Sequence, residues 1–136
     1  MDKMSNWEKN EARMFRYLKE TYIPDLEYSD LGEYSPYDCY SKGKSCEIEL
    51  KFRHKHYPTL MIEKMKYDKL MTRALAHDTE AIYISETPEG IFAFNLSRLT
   101  EPQWFTKKLP ATSNFDRREW IDKEVANIDV KLGKQI

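Results

Sequence analysis

The sequence predicts an α/β domain with a small mixed sheet, its elements in the order α-β-β-α-β-β-α. Three observations lead there. Apolar residues recur at helical spacing across 5–22 and again across 60–77. The stretches 45–53, 81–86 and 91–96 alternate or run apolar in the manner of strands. The chain has 136 residues, 40% of them hydrophobic and 13% aromatic, which suits one core and one domain.

The elements follow in order. Ser5 to Tyr22 reads as a helix: Trp7, Met14, Phe15, Leu18 and Tyr22 share a face, and Ser5 with Glu8 matches a capping box. Pro24 ends it, and 25–33 (DLEYSDLGE) forms an acidic loop. Strands are expected over about 35–41 and 45–53, joined by Ser41-Lys42-Gly43-Lys44. In the second, Glu47, Glu49, Lys51 and Arg53 alternate with Ile48, Leu50 and Phe52. Pro58 breaks the chain. A second helix is expected from Leu60 to His77, with Tyr67, Leu70, Met71, Ala74 and Leu75 as its stripe. AIYISE (81–86) and IFAFNL (91–96) pair about the turn Thr87-Pro88-Glu89-Gly90. After a loop containing Pro110, Phe115 to Ile128 reads as a third helix, with Ile121, Val125 and Ile128 on one face. The expectation is therefore a single domain over 1–136, with a core at about 5–96 and a C-terminal helical extension over 97–136.

Composition excludes several classes. Charged residues make up 33% of the chain and mean hydropathy is −0.78. No run reaches the roughly 18 apolar residues of a membrane span. MDKMSNWEKNEARMF lacks the apolar segment of a secretory leader, so a cytoplasmic protein is expected. Two cysteines, Cys39 and Cys46, make neither a disulfide scaffold nor a CxxC metal pair. Net charge is −1, which weighs against nucleic-acid binding taken alone. Basic residues nevertheless cluster in KFRHKH (51–56) and at Lys64, Lys66, Lys69 and Arg73.

The chemistry gathers in three segments. At about 100° per residue, Glu11 falls inside the stripe Trp7, Met14, Leu18, so a carboxylate meets the core. A carboxylate there is costly unless paired or bound to a metal; the plain alternative is a glutamate bonded to a lysine or tyrosine. Period two puts Glu49 and Lys51 on one strand face, and Glu47 and Arg53 make a solvated polar face the plain reading of that strand. With a tight loop at Lys42-Gly43, Cys39 faces Cys46 and Asp38 faces Glu47. Glu49 is then a diagonal neighbour of Asp38, roughly 7 Å away. Oxygen ligands of this kind suit Mg²⁺ or Mn²⁺ rather than zinc. Such a cation acidifies a bound water and accepts phosphate oxygens, and a lysine beside it orients that water and offsets transition-state charge.

This pattern resembles the PD-(D/E)XK nuclease superfamily, in particular its small phage and bacterial members and its archaeal Holliday-junction resolvases. The resemblance covers about 5–96 and implies an αβββαβ, restriction-endonuclease-like core. It implies that Asp38 is the motif aspartate and that Glu49 and Lys51, within EIELK, are its Glu and Lys. Glu11 is then the helix glutamate, and the Leu50 carbonyl a further metal ligand. The motif proline stands at Pro36, two before Asp38, with Tyr37 between. IEKMKYDKL (62–70) is similar to the lysine-tyrosine helix of small members; lambda-exonuclease-like members carry a glutamine four before that tyrosine, where Glu63 stands here. The implied activity is a Mg²⁺-dependent deoxyribonuclease of endonuclease type, with DNA as partner and Mn²⁺ as a substitute cofactor.

Lys66, Lys69 and Arg73 lie within about 60° on the second helix and, with Tyr67 and Arg53, form the expected DNA contact; an ordinary solvated face is the plain alternative. His54 and His56 read as surface residues, and His77 as a helix C-terminal residue favoured by the dipole. Trp104, Phe105, Phe115 and Trp120 read as core or as contact in a homodimer, which cutting both strands would call for. The rival reading is a binding or assembly module without catalysis on the same fold, and RNA is the other substrate.

Overall fold

The computed structural model describes residues 6–29, 38–111 and 119–136. Helix α1 (Asn6–Thr21) is followed by β1 (Glu27–Tyr28), β2 (Asp38–Ser41), β3 (Cys46–Phe52) and β4 (Thr59–Glu63). Helix α2 (Lys64–Ala76) leads to β5 (Glu80–Thr87), β6 (Gly90–Asn95), β7 (Phe105–Pro110) and β8 (Trp120–Asp129). A 3-10 turn (Val130–Leu132) and β9 (Lys134–Gln135) close the chain. The Ser5–Glu8 capping pair, the side chain of Trp7, positions 35–37 of the expected strand with Pro36 and Tyr37, and Phe115 lie outside the described residues.

Among the described residues the central sheet runs β1-β2-β3-β5-β6-β9. It is a mixed sheet: β3 pairs β5 in parallel, and its other neighbours pair antiparallel. The parallel pair needs a crossover, and α2 lies within it. The two helices cover opposite faces. Met14 and Leu18 of α1 pack with Leu26, Cys39, Cys46, Ile48, Leu50 and Ile84. Tyr67, Leu70 and Ala74 of α2 pack with Ala81, Tyr83, Phe92 and Phe94. Period two along β3 therefore sends Ile48 and Leu50 towards α1, and Glu47, Glu49 and Lys51 towards the face that α2 covers.

A second sheet, β4-β8-β7, is antiparallel throughout. Leu60, Ile62, Ala126 and Ile128 on one of its faces join the α2 core.

Four expectations are corrected. Residues 60–63 are strand, and α2 begins at Lys64. Leu60 fits the helical stripe of α2, but Leu60 and Ile62 also alternate, and pairing with Ile128 and Ala126 satisfies their backbone and buries both. The C-terminal extension is β rather than helical within its described residues. Ile121, Val125 and Ile128 fit a helical stripe by spacing, but β8 is held between β4 on one side and β7 on the other. The hairpin register is two residues away from the tight-loop reading: Ser41 faces Cys46, Cys39 faces Ile48, and Asp38 faces Glu49 directly. Asp25 sets it. Its carboxylate accepts from Ser41 Oγ at 2.6 Å and from the Gly43 N–H at 2.7 Å, and Ser45 takes a left-handed conformation at φ 51°. The loop is thereby four residues, Lys42 to Ser45. Finally, the polar face of β3 is not solvated: Glu47 and Glu49 are 4% and 6% exposed.

Candidate functional site

The corrected register keeps Asp38 and Glu49 together. A shift of two keeps the parity of the strand, so Asp38 and Glu49 stay on one face. As directly opposed residues they come closer than the diagonal reading gave, about 4.5–5.5 Å between Cβ atoms. Lys51 follows two residues on, on the same face. Glu11 arrives from α1 on the other side of the sheet, beside the C-terminal end of β3. Its Oε1 accepts the Phe52 N–H at 3.3 Å, and its carboxylate feels Lys51, Lys66 and Glu49. Helical arithmetic thus placed it correctly: Glu11 is 1% exposed, among the most buried side chains.

Glu11 Oε2 and Asp38 Oδ1 are buried and have no hydrogen-bond partner among the described residues. Burial raises the pKa of Glu11 from 4.5 to about 7, against the opposing pull of the Phe52 N–H, Lys51 and Lys66. Burial raises Glu49 to about 7 as well, with Lys66 opposing and Asp38 adding to the rise. Burial lowers Lys51 from 10.5 to about 8, helped by the like charges of Lys66 and Arg53 and opposed by Glu11 and Glu49. Displaced acids and a displaced base gathered in one place make this cluster a candidate functional site.

Helix α2 lays cations across this acidic face. Arg73 bridges two carboxylates, with Nη1 2.8 Å from Asp38 Oδ2 and Nη2 3.2 Å from Glu47 Oε2. Lys69 Nζ is 3.7 Å from Asp38 Oδ2. His77, at the C-cap of α2, places Nδ1 2.7 Å from Glu47 Oε1. Lys66 lines a small cleft with Glu49, Lys51, Arg53, Met61, Ile62, Glu63 and Tyr83. Arg53 donates to the Met61 carbonyl and to Tyr83 Oη. Tyr67 is buried, its ring edge-on to Trp104, so it sits in the core and not on a contact surface. The Leu50 side chain lies in the α1 core, with its carbonyl in the strand between Glu49 and Lys51.

Sequence reasoning missed three contributors. The sequence alone reads Glu47 as part of a solvated face, although its alternation with Glu49 puts it beneath whatever covers that strand. Glu63 stands between Lys66 (3.9 Å) and Lys123 (2.8 Å); burial alone would raise its pKa, but the two lysines outweigh it and hold it low. Nothing local to Lys123 signals that pairing, which depends on β4 and β8 meeting.

The donor set is all oxygen, as a hard divalent cation prefers. Among the described residues, however, no three His, Cys, Asp or Glu side chains converge closely enough, as placed, to hold a metal ion. No described helix is long and apolar enough to cross a membrane. Comparison with known proteins adds no relative: no protein-family model matches the chain, and neither curated proteins nor solved structures yield a match.

Proposed function

We propose that this chain hydrolyses phosphodiester bonds in DNA with Mg²⁺ or Mn²⁺, on a restriction-endonuclease-like core. The observation that carries the reading is the burial of Asp38 opposite Glu49 and of Glu49 and Glu11 beside Lys51, with one oxygen of Asp38 and one of Glu11 left without a hydrogen-bond partner among the described residues. Such an arrangement is costly in a protein that does nothing with it, and a divalent cation would offset the cost. Asp38 and Glu49 would hold the cation, with Glu11 next to them; when bound it supplies charge neutralisation and an acidified water. Lys51, at about 8, exchanges a proton within the working pH range and offsets charge on phosphate oxygens. The test is cleavage of linear, nicked and four-way DNA with Mg²⁺, Mn²⁺ or EDTA. Asp38→Asn and Lys51→Ala should each lose at least about a hundredfold of activity while keeping the wild-type circular dichroism spectrum. Undiminished cleavage by both variants would refute the assignment.

A second reading, a nucleic-acid-binding or assembly module without catalysis on the same fold, has its own observation. Arg73 and Lys69 already engage Asp38 Oδ2, and no three ligating side chains converge among the described residues. As placed, the side chains fit this reading better than the first. A Mn²⁺ titration separates them: binding that Asp38→Asn abolishes supports the catalytic site, and no binding above background leaves the module.

A further inference from the structure

We propose that the β7–β8 ribbon is a nucleic-acid-tracking arm, in which Lys107 and Lys123 grip the phosphate backbone beside the candidate site. This rests on the nucleic-acid reading of that site and adds the surface that would hold the strand leading away from it.

The register builds the arm. β8 pairs β4 through Glu63↔Val125, and β7 through Phe105↔Val125 and Lys107↔Lys123. Period two puts Glu63, Phe105, Lys107 and Lys123 on one face, with Leu109 and Ile121 further out. That face is continuous with the candidate site. Glu63 lines the cleft that holds Glu49, Lys51 and Lys66, and its carboxylate ties Lys66 to Lys123. A line of cations thus runs from Lys51 through Lys66 and Lys123 to Lys107.

The two faces of the ribbon are charged differently. On the far face Lys108 stands opposite Asp122 and pairs with it at 3.2 Å. On the site face a lysine stands directly opposite a lysine, an arrangement that destabilises a strand pair. Glu63 matches Lys123, but Lys107 has no ion pair among the described residues. Exposed apolar side chains flank the lysine pair, Phe105 at 44% and Ile121 at 42%. Like charges with an aromatic beside them match a polyanionic strand, whose phosphates take the lysines and whose bases offer flat faces to the ring.

The test is fluorescence anisotropy with labelled single-stranded and duplex DNA in EDTA, across a salt series, so that binding is read without cleavage. Lys107→Ala should lower the magnitude of the salt slope by about 0.7 on single strands or about 0.9 on duplex. Lys107→Glu should weaken binding at least about tenfold, and Lys108→Ala on the far face should change it less than about twofold. If Lys66→Ala weakens binding while Lys107→Glu does not, the arm is overturned and the site reading survives. Absence of DNA binding by the wild-type protein overturns both. If sedimentation shows that Lys107→Glu splits a dimer with DNA affinity unchanged, a second copy occupies this face and the arm is overturned.

Discussion

Replacing Glu11 by Gln should make the protein more stable at pH 8 and leave it nearly unchanged at pH 4. Glu11 is 1% exposed and one of its oxygens has no hydrogen-bond partner among the described residues. Burial moves its pKa from 4.5 to about 7. The unfolded chain releases this proton near 4.5 and the folded chain near 7, so between the two the folded state holds a proton the unfolded state has lost. Stability therefore falls as pH rises through this window, and the penalty is complete above it. At about 1.4 kcal/mol per pH unit, the interval from 4.5 to about 7 amounts to about 3 kcal/mol. Gln keeps the shape and the acceptor for the Phe52 N–H but cannot ionise. Its amide nitrogen leaves a buried polar group in place of Oε2, so the net gain at pH 8 is about 2 kcal/mol. Urea denaturation followed by circular dichroism, in EDTA from pH 4 to pH 8, reads the difference between variant and wild type, in which the other titrating groups cancel. A difference that does not change with pH, or a variant less stable at pH 8, would refute the reasoning. Repeating the series with Mn²⁺ at about a hundred times its Kd should stabilise the wild type by about 2.7 kcal/mol and close the gap, if Glu11 takes part in holding the cation.

Lys51 makes the mirror-image case: its folded pKa is about 8 against 10.5, so the unfolded chain keeps a proton the folded chain loses, and stability rises with pH across that window. Lys51→Met should be more stable than wild type by about 2 kcal/mol at pH 7, after allowance for partial exposure, and the advantage should vanish by pH 11 in the same urea assay. Arg73→Ala leaves Asp38 and Glu47 buried without their shared counter-charge and should cost about 3 kcal/mol in urea denaturation. Arg73→Lys should recover only part of that, because an ammonium cannot bridge two carboxylates as a guanidinium fork does; full recovery by Lys would overturn the bridging role.

Much of this was legible because it is local. The period of α1 located Glu11, and the alternation of β3 separated Ile48 and Leu50 from Glu49 and Lys51, with no knowledge of any partner element. The β5–β6 hairpin was equally plain from the turn at Pro88-Glu89, with Thr87 facing Gly90. What failed depends on contacts distant in sequence. Asp25 sets the hairpin register from 18 residues before Gly43, and a one-hairpin view could not include it. Strand β4 joins β8, with Thr59 facing Asp129, so Leu60 to Glu63 reads as helix until that partner exists. The same gap hid Lys123, whose role is defined by Glu63 across that pairing. Glu47 failed for another reason: alternation says which residues share a face, but not whether a helix covers it.

The pairing of charges also changes what the near-neutral composition means. A net charge of −1 counted against nucleic-acid binding on the view that every cation faces solvent. Here the helix cations are matched by carboxylates: Arg73 and Lys69 stand against Asp38, Arg73 also against Glu47, and Lys66 against Glu63. These carboxylates cancel charge inside the molecule, so the sum says little about the field a ligand meets. What matters is which cations stay unmatched on one face, and Lys107 is such a cation among the described residues, opposite Lys123, which Glu63 connects to the acidic cluster. A polyanion bound along that face need not be repelled by Asp38 and Glu49, because Arg73 and Lys69 already neutralise part of the charge of Asp38, and Lys66 and Lys51 act on Glu49. Disrupting Arg73 therefore acts twice, loosening the fold and exposing the strand to uncompensated carboxylates, so Arg73→Ala should weaken DNA binding even though Arg73 is largely turned away from solvent.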